Sequence, residues 1–579
     1  MEEQWLAAGS AAEGNRAEVD GLAGVRAGAR THLRSAAEGS TAIAVMGDCP
    51  VSQEELHSAL VAVRAGQWAE LTGWPGSYWV VADNGRERFV CGDLAELRPV
   101  YYTIAGAWAT DPRRLGKPLV ADLVLAAARI AVGGDHWPGR SPYEGIHQVP
   151  GGFGLLLPAG QSPRLVDVTA ITSVAGLPAG AEQFGIALTQ AVQHRVLAAD
   201  GPVGADLSGG LDSSSAVILA SQVGRVHAVT YTDGYTSAED ASFAARVAEY
   251  TGVEHTIARG GEDDLPFSFP AGQPTGLEPS LSAALYAMDR TYLAPVAGLP
   301  LHLTGHGGDV VLDASSSVWV RLLQDGERRA AHRQVVAYAR LRNLAPGPYW
   351  KSIKQTAEFG RAGTLRKVAE QLEKGGPQPG QGGTGWAWCR PRAASSWLTA
   401  DGRAQVAVLL RQAAADNYQS DYADEFDQWS ALRFTGATGR SWTPYAEAFA
   451  VRPVYPYLDN TVVRAAFAVP PLARRGLYTF KPLLAAALPE LPGWLLDRRS
   501  KGSFTAQRVA AFQQHRARLT DLLVVSPLTT MNLFDHTAVA ATLDHLAHGR
   551  ISTGSADLHQ MLVASWWLTG QSTPMETLC

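Results

Sequence analysis

The stretch Asp206-Leu-Ser-Gly-Gly-Leu-Asp-Ser-Ser-Ser215 is the most informative part of this sequence about its fold. Its first residues end a short apolar run at 204–207, which predicts a strand, and its last residues begin an Ala-rich segment at 213–222, which predicts a helix. In such a turn, glycines let successive backbone N–H groups point at one place, and serine hydroxyls lie at the positive end of the helix. The stretch therefore predicts a binding loop for an anion.

An aspartate inside this loop limits which ligands the loop can bind. Asp212 fits an anion site only if a cation bridges its carboxylate to phosphate, so magnesium is implied. No GK[ST] follows, which excludes the loop of kinases and GTPases. The structural alternative is a plain turn in which the Gly and Ser residues serve only backbone and cap geometry.

The segments that follow alternate between strands and helices. Strands are predicted at 226–231, 254–257 and 301–304, and helices at 239–251 and 281–291. This spacing predicts βαβ units and a doubly wound parallel sheet. The last of these strands runs into Leu303-Thr-Gly-His-Gly-Gly-Asp309. Because loops at the carboxyl ends of parallel strands meet over one crevice, we expect Asp309 to lie close to Asp212.

Residues before about 180 follow a different pattern. Short β-like runs at 41–46, 77–82, 88–91, 99–104 and 154–157 are separated by Gly, Pro and Asp turns, which predicts a largely antiparallel unit with few helices. We therefore predict an α/β protein of two domains. An N-terminal α+β sandwich covers residues 1–180, and a C-terminal doubly wound parallel-sheet domain covers 181–579.

The composition excludes several classes of protein. Of 579 residues, 46% are apolar and 18% are charged, as in globular proteins, and the net charge of −6 is spread without a block of one sign. Long nucleic acid is therefore not an expected partner. The four cysteines show no CxxC spacing. The N-terminus lacks the order of a signal peptide and no stretch approaches a membrane span, so we expect a cytoplasmic protein.

The run SGGLDSS at 208–214 resembles the pyrophosphate-binding loop of the N-type ATP pyrophosphatases, which cleave ATP to AMP and pyrophosphate. Together with GHGGD at 305–309, it resembles the asparagine synthetase family, in which two aspartates hold magnesium. The resemblance implies ATP and Mg²⁺ as cofactors, with Asp212 and Asp309 as metal ligands. It implies cofactor contacts from both loops and a neighbouring strand end: Leu207, Ser208, Gly209, Gly210, Asp212, Ser213, Ser214, Thr232, Thr304 and Gly305.

Other matches to the family extend from about residue 40 to 510. GDLAELRPVYY at 92–102 resembles its RDPLGIRPLYY, VRPVYPYLD at 451–459 resembles EVRxPFLD, and residues 478–481 resemble YxxK. The resemblance implies a glutaminase-like (Ntn-type) N-terminal domain and a C-terminal synthetase domain of the ATP pyrophosphatase type. RSKGSF at 499–504 resembles RxKxGF, and Lys501 matches the lysine that faces the reacting carbonyl and the α-phosphate. A positive charge there stabilises a developing oxyanion, whereas most lysines are solvated surface groups.

Two departures from asparagine synthetase bear on the reaction. The family's glutaminase uses a cysteine exposed at the mature N-terminus, whereas this chain has Glu2, and its first cysteine, Cys49, follows a predicted core strand. We therefore expect a nucleophile other than ammonia from glutamine, and an N-terminal domain that acts as a structural or substrate-binding scaffold. The second departure is His306, which replaces the acidic residue of GEGGD. Histidine suits proton removal from a substrate amine, so His306 is either the catalytic base or a residue that holds the loop by hydrogen bonds.

These features favour a synthetase that takes its amine from the substrate itself. The chain most resembles the lasso peptide cyclases, which join a peptide's N-terminal amine to an Asp or Glu side chain as a macrolactam. The resemblance implies a lasso precursor core peptide as substrate, and a leader-binding protein and a leader peptidase as partners. The alternatives are ring closure of a small amino acid, as in the β-lactam synthetases, an asparagine synthetase fed by free ammonia, and a catalytically silent scaffold.

Two further features have alternative interpretations. Residues 374–385, KGGPQPGQGGTG, predict a flexible loop, either a surface connection or a lid over the substrate. The 16 tryptophans either fill the core or line a peptide groove.

Overall fold

The computed structural model describes residues 5–8, 18–28, 32–116, 118–134, 136–376, 385–416, 419–498, 502–550 and 554–572. The predicted loop at 374–385 lies mostly outside the described residues, and Lys501 lies outside them as well. Within these ranges, no helix is both long enough and apolar enough to cross a membrane.

Two antiparallel sheets form the N-terminal part of the chain. Their strands are β1 (Leu6–Ala8), β2 (Val25–Ala27), β3 (Leu33–Glu38), β4 (Thr41–Asp48), β5 (Ser77–Asp83), β6 (Glu87–Cys91), β7 (Tyr101–Tyr102), β8 (Trp108–Ala109), β9 (His147–Gln148), β10 (Phe153–Pro158) and β11 (Arg164–Asp167). The first sheet has the strand order β2-β1-β8-β7-β9, and the second has the order β11-β10-β6-β5-β4-β3. Two helices, α1 (Gln53–Ala65) and α2 (Leu123–Val132), lie in the connections.

Strand β4 shows how this part is packed. Ala42, Ala44 and Met46 share a buried cluster with Trp108 of the other sheet. Ile43 and Val45, which alternate with them, pack in a second cluster with apolar residues of α1. Because both faces of β4 are covered, the strand is a continuous apolar run in the sequence.

A five-stranded parallel sheet forms the centre of the C-terminal part. Its strands are β12 (Val203–Asp206), β13 (Val226–Thr232), β14 (Glu254–Arg259), β15 (His302–Leu303) and β16 (Pro453–Val454). They lie in the order β14-β13-β12-β15-β16, and every neighbouring pair is parallel. The predicted α/β class with a parallel sheet is therefore confirmed.

Helices cover this sheet and build the rest of the chain. The helix predicted at 281–291 differs from the expectation, because a 3-10 turn at Leu281–Leu285 precedes the α-helix. The helices up to the second glycine loop are α3 (Leu177–Leu197), α4 (Leu211–Ser221), α5 (Ala238–Thr251), α6 (Tyr286–Leu293) and α7 (Gly308–Val311). Those between β15 and β16 continue with α8 (Ser317–Gln324), α9 (Arg328–Leu341), α10 (Pro346–Glu373), α11 (Ala400–Ala415) and α12 (Ala423–Ala448). The remaining helices are α13 (Asn460–Ala468), α14 (Pro471–Arg474), α15 (Pro482–Ala487), α16 (Gly493–Leu496), α17 (Thr505–Val525), α18 (Pro527–Thr530), α19 (His536–Ala547) and α20 (Ser555–Ser572).

The N-terminal part packs on the C-terminal part through the segment GDLAELRPVYY. A Cβ at Gly436 of α12 would lie 1.6 Å from the carbonyl oxygen of Ala95, so only glycine allows the helix to approach this segment. The side-chain oxygen of Asn460 accepts a hydrogen bond from the backbone N–H of Leu94 at 2.9 Å. The family-like motif in the N-terminal part is thus a packing surface for α12 and α13.

Candidate active site

The carboxyl ends of β12 and β15 bring the two predicted loops together. These strands are neighbours, and β13, which follows β12 in the chain, lies on the other side of β12. This is the switch point at which doubly wound sheets bind ligands. A Cβ at Gly305 would lie 2.6 Å from the backbone nitrogen of Ser213, and a Cβ at Gly308 would lie 2.4 Å from Cγ of Asp212. The close approach of the two loops therefore requires glycine.

The loop after β12 has the features of an anion cradle. Gly209 has a left-handed backbone with φ of 72°, and α4 begins two residues later at Leu211. The Ser213 hydroxyl accepts a hydrogen bond from the backbone N–H of Ser208 at 3.2 Å. Ser214 is fully buried, and its hydroxyl has no hydrogen-bond partner among the described residues. A buried hydroxyl of this kind is destabilising unless a ligand satisfies it, which fits a bound phosphate.

The two predicted metal ligands lie on either side of one ammonium group. Lys481 Nζ lies 2.6 Å from each carboxylate oxygen of Asp212 and 2.6 Å from Oδ1 of Asp309. The side chain of Lys481 is 3% exposed, whereas that of Asp309 is 64% exposed. Burial alone would lower the pKa of Lys481, but the two carboxylates outweigh it and raise that pKa. Lys481 therefore stays charged and holds the acidic pair together.

The backbone at Lys481 is adapted to this contact. The residue has φ of 49°, in the left-handed region, directly before Pro482 and α15. A non-glycine residue in this region costs about 1–2 kcal/mol. The contacts to two carboxylates offset that cost.

The acidic pair fits the donor set of magnesium. Among the residues that the structure describes, no group of three or more His, Cys, Asp and Glu side chains could hold a metal. Mg²⁺ usually takes one or two protein carboxylates and completes its shell with substrate phosphates and water. Asp212 and Asp309, beside a loop of backbone donors, would provide the protein's share of such a shell.

The remaining predicted nucleotide contacts lie at the ends of three adjacent strands. Leu207 follows β12, Thr232 ends β13, and Thr304 and Gly305 follow β15. The backbone N–H and the hydroxyl of Thr304 both donate to the carbonyl of Val454, at 3.1 and 3.2 Å. The fold thus brings these positions to one edge of the parallel sheet.

A buried arginine approaches the anion loop from the C-terminal side. A Cβ at Gly209 would lie 2.9 Å from Nη1 of Arg498. Arg498 donates to the Asp240 carboxylate through Nη2, while its Nε and Nη1 are buried without a hydrogen-bond partner among the described residues. Asp240 also accepts from the backbone N–H of Gly502 at 3.1 Å. Lys501, the predicted catalytic lysine, lies in sequence between Arg498 and Gly502.

His306 projects from the second loop against α12. Its Nε2 lies 2.8 Å from the carbonyl oxygen of Thr435, and its ring centroid lies 5.9 Å from that of Tyr455. Since a carbonyl can only accept, Nε2 carries the ring proton, and Nδ1 keeps its lone pair when the ring is neutral. Burial lowers the pKa of His306, which favours the neutral ring near pH 7.

Sequence reasoning missed the roles of three side chains or groups at this site. Lys481 stands in the sequence only as the last residue of a YxxK match, and the signal that singles it out is a lysine directly before a helix-opening proline. Arg498 lies beside the better-matched Arg499, and its burial cannot be inferred from neighbouring residues. The carbonyl of Thr435 gives no sequence signal, because any residue supplies one.

Comparison with known proteins identifies the C-terminal part. A family model described as asparagine synthase matches residues 183–569. No curated protein matches the chain at a significant level. Among solved structures, the chain is similar to the glutamine phosphoribosylpyrophosphate amidotransferase from B. subtilis complexed with ADP and GMP. That match has 11% identity and a TM-score of 0.16, and it covers 50% of this chain and 59% of that chain.

A second solved structure, described as the allosteric regulatory enzyme of purine biosynthesis, is similar at 12% identity with a TM-score of 0.15. The match covers 46% of this chain and 54% of that chain. The chain therefore spans less than two thirds of the length of either protein, and at these TM-scores neither bears on its chemistry.

Proposed function

The chain belongs to the asparagine synthase family of ATP-dependent amide ligases, and we propose that it closes an intramolecular amide in a peptide, as a macrolactam synthetase of the lasso peptide type. The observation that carries the proposal is the convergence of Asp212, Asp309 and Lys481 beside the anion loop at the switch point of the sheet. A fold alone does not need three opposed charges in one crevice, whereas ATP cleavage does.

The first half of the proposed reaction activates a substrate carboxylate. That carboxylate attacks the α-phosphorus of ATP and displaces pyrophosphate. The backbone N–H of Gly209, the Ser214 hydroxyl and Lys481 stabilise the leaving charge. Magnesium, held by Asp212 and Asp309, would add Lewis-acid stabilisation of the same phosphates.

In the second half, the amine attacks the carbonyl carbon of the acyl-adenylate, and collapse of the tetrahedral intermediate forms the amide, breaks the acyl C–O bond and releases AMP. An α-amino group has a pKa of about 8 and is largely protonated near pH 7. Nδ1 of His306 is the proposed acceptor of its proton, because Nε2 is occupied by the Thr435 carbonyl. Lys501 is proposed to stabilise the oxyanion of the tetrahedral intermediate.

The cysteines support an amine source other than glutamine. Glutamine hydrolysis in this family needs an exposed thiolate. Cys49, Cys91 and Cys389 are all buried, and they are the cysteines among the described residues. Burial raises the pKa of the Cys49 thiol to about 12, so it is not ionised near pH 7. The proposal therefore takes the amine from the substrate, in the cytoplasm, with a leader-binding protein and a leader peptidase as partners.

A substrate panel tests the proposal. ATP–pyrophosphate exchange, AMP release and product mass are measured with linear peptides that carry a free N-terminal amine and an internal Asp or Glu. Parallel reactions contain N-carboxyethyl-arginine, or aspartate plus ammonium. A peptide-dependent loss of one water with AMP release supports the macrolactam synthetase. Turnover of N-carboxyethyl-arginine alone would favour β-lactam-type closure, and asparagine formation would favour the ammonia-dependent enzyme.

A matched pair of variants locates the activity. Asp309→Ala should abolish exchange, whereas Asp263→Ala, which removes an exposed carboxylate outside the site, should leave it at the parent rate. ATP binding without turnover of any substrate would favour the scaffold alternative.

A further inference from the structure

A cavity of about 220 Å³ lies between the N-terminal part and helices α12 and α20. Its walls come from α2 and the segment after it, from residues 278–281, and from one face of each of these two helices. This volume is below the roughly 300–1,000 Å³ of most small-molecule sites, so it suits one side chain with its polar head and not a nucleotide.

The acidic side chains of this cavity already have partners. Glu278 accepts two hydrogen bonds from the Arg440 guanidinium, at 2.6 and 2.7 Å. Glu96 accepts from Gln148 at 2.9 Å and from the backbone N–H of Gly151 at 2.8 Å. The Asp122 carboxylate caps α2 through the N–H of Leu125 at 2.9 Å.

Two arginines of the cavity are not neutralised in this way. Arg129 donates one hydrogen bond, at 3.1 Å, to the backbone carbonyl of Arg140. The guanidinium of Arg140 has no hydrogen-bond or ion-pair partner among the described residues. Arg392, by contrast, forms an ion pair with Asp557 at 3.7 Å and donates a hydrogen bond to Gln560 at 2.8 Å. Arg129 and Arg140 are thus two cavity arginines without a carboxylate partner in the described part of the chain, and their charge favours an anionic ligand.

The cavity adjoins the proposed base through one helix. Phe434 and Thr438 of α12 line the cavity, and the backbone carbonyl of Thr435, beside Phe434, accepts a hydrogen bond from His306 Nε2. Helix α12 therefore contacts both the cavity and the loop that carries His306.

We propose that this cavity binds a carboxylate of the amide-forming substrate through Arg140 and Arg129, an inference that rests on the proposed function. The carboxylate is one that does not react, and it fixes the position of the substrate while another carboxyl is activated. Arg140 and Arg129 are positioning residues of substrate recognition.

Calorimetry on the full chain, without ATP, tests the site with glutarate and with its neutral analogue glutaramide. Wild-type protein should bind glutarate and not glutaramide. Arg140→Gln should weaken glutarate binding by about tenfold or more, because the variant loses a charge-assisted hydrogen bond to the carboxylate. Arg86→Gln, in an exposed turn of the N-terminal part, should bind as wild type does. MgATP should bind equally to all three proteins, which shows that the nucleotide crevice is intact.

The outcomes separate the site from the function. Equal glutarate binding by wild type and Arg140→Gln, equal binding of glutaramide, or no glutarate binding would overturn the cavity assignment. If binding needs Arg140 but no member of the substrate panel yields AMP, the amide-forming function fails and the carboxylate site stands. With an active substrate, Arg140→Gln should raise the KM of that substrate and leave the KM of ATP unchanged. An unchanged substrate KM would contradict the assignment to substrate.

Discussion

The guanidinium of Arg195 in α3 lies 2.7 Å from the carboxylate of Asp48 at the end of β4. Arg195 also lies 3.0 Å from Asp459, which is fully buried. One arginine thus ties the antiparallel part of the chain to two elements of the parallel-sheet part. The Arg195 side chain is 4% exposed. Both carboxylates are therefore needed to compensate the cost of burying its charge.

Arg195→Met should lower the free energy of unfolding by about 3 kcal/mol, because removal of one partner leaves buried carboxylates uncompensated. Urea denaturation measures the change. Arg64→Met is the matched control: it breaks a surface pair at 2.7 Å with side chains 53% and 70% exposed. That loss should be below about 1 kcal/mol. Equal effects of the two substitutions would contradict the anchoring role of Arg195.

The same contact predicts acid sensitivity. Burial alone would raise the pKa of Asp48, but Arg195 and His194 outweigh it and hold the pKa well below the usual 3.8. A carboxyl with a lowered folded-state pKa stabilises the protein above pH 3.8, and the contribution is lost as the pH falls below that value. Asp48→Asn should flatten the stability profile in that acidic window. An unchanged profile between pH 2 and 4 would argue against the contribution of Asp48.

Lys481→Met should destabilise the metal-free protein by about 3 kcal/mol, because Asp212 and Asp309 then face each other without a cation. Added Mg²⁺ should restore more stability to this variant than to wild type, since binding to the folded state stabilises it by mass action. Lys354→Met, at an exposed position of α10, is the control and should show neither effect. Thermal unfolding with and without Mg²⁺ measures both.

His306→Ala should slow amide formation by about 10²–10⁴-fold, the usual contribution of a general base, while ATP–pyrophosphate exchange persists. Burial lowers the pKa of His306 from its usual 6.5, so the base should be active at pH 6.5 and above and lose activity as the pH falls through the lowered pKa. In the pH profile of amide formation, the fall in rate at low pH that comes from protonation of the imidazole should be absent in the variant. Product formation near the parent rate would leave His306 with a structural role only.

Cys49 should resist iodoacetamide in the folded protein. The residue is 8% exposed, and burial raises the pKa of its thiol to about 12. At pH 8, roughly one thiol in ten thousand would be ionised. Mass spectrometry should find Cys49 modified only after unfolding in urea, and Cys49→Ser should retain amide synthesis. Rapid labelling of the native protein, or glutamine hydrolysis lost in Cys49→Ser, would revive a glutaminase role.

Gly436→Ala should destabilise the protein by about 1–3 kcal/mol, because a Cβ at this position would lie 1.6 Å from the carbonyl oxygen of Ala95. Gly363→Ala is the matched substitution in α10, where a Cβ would meet only the Cβ of Phe359, at 3.8 Å, an ordinary van der Waals contact. That change should be neutral or stabilising, since alanine favours helix by about 1 kcal/mol over glycine. Urea denaturation compares the two, and a neutral Gly436→Ala would contradict the close packing of α12.

Much of the fold is encoded locally. The strand at β4 follows from an apolar run covered on both faces, and β12, α4 and β13 follow from the alternation of apolar segments around the glycine-rich turn. The run predicted at 99–104 is only Tyr101–Tyr102 as a strand. Pro99 has no N–H to donate to a neighbouring strand. The backbone N–H of Thr103 donates to the carbonyl oxygen of Ala107 at 2.9 Å, so the chain turns there and the strand ends. The length of a strand depends on where the neighbouring strand ends, and the β-propensity of its own residues does not contain that information.

Three features can be predicted from the amino-acid sequence alone: a glycine-serine turn opens a helix after a strand, a second glycine loop ends in Asp309, and strands and helices alternate around them. These features depend on residues adjacent in the chain, where backbone freedom and side-chain alternation act directly. Three others depend on the folding of distant segments: Lys481 lies between Asp212 and Asp309, Thr435 orients the ring of His306, and Arg140 lines a cavity shared by both parts of the chain. Each of these joins groups that are distant in sequence, and packing of separate helices and strands sets such distances to within an ångström.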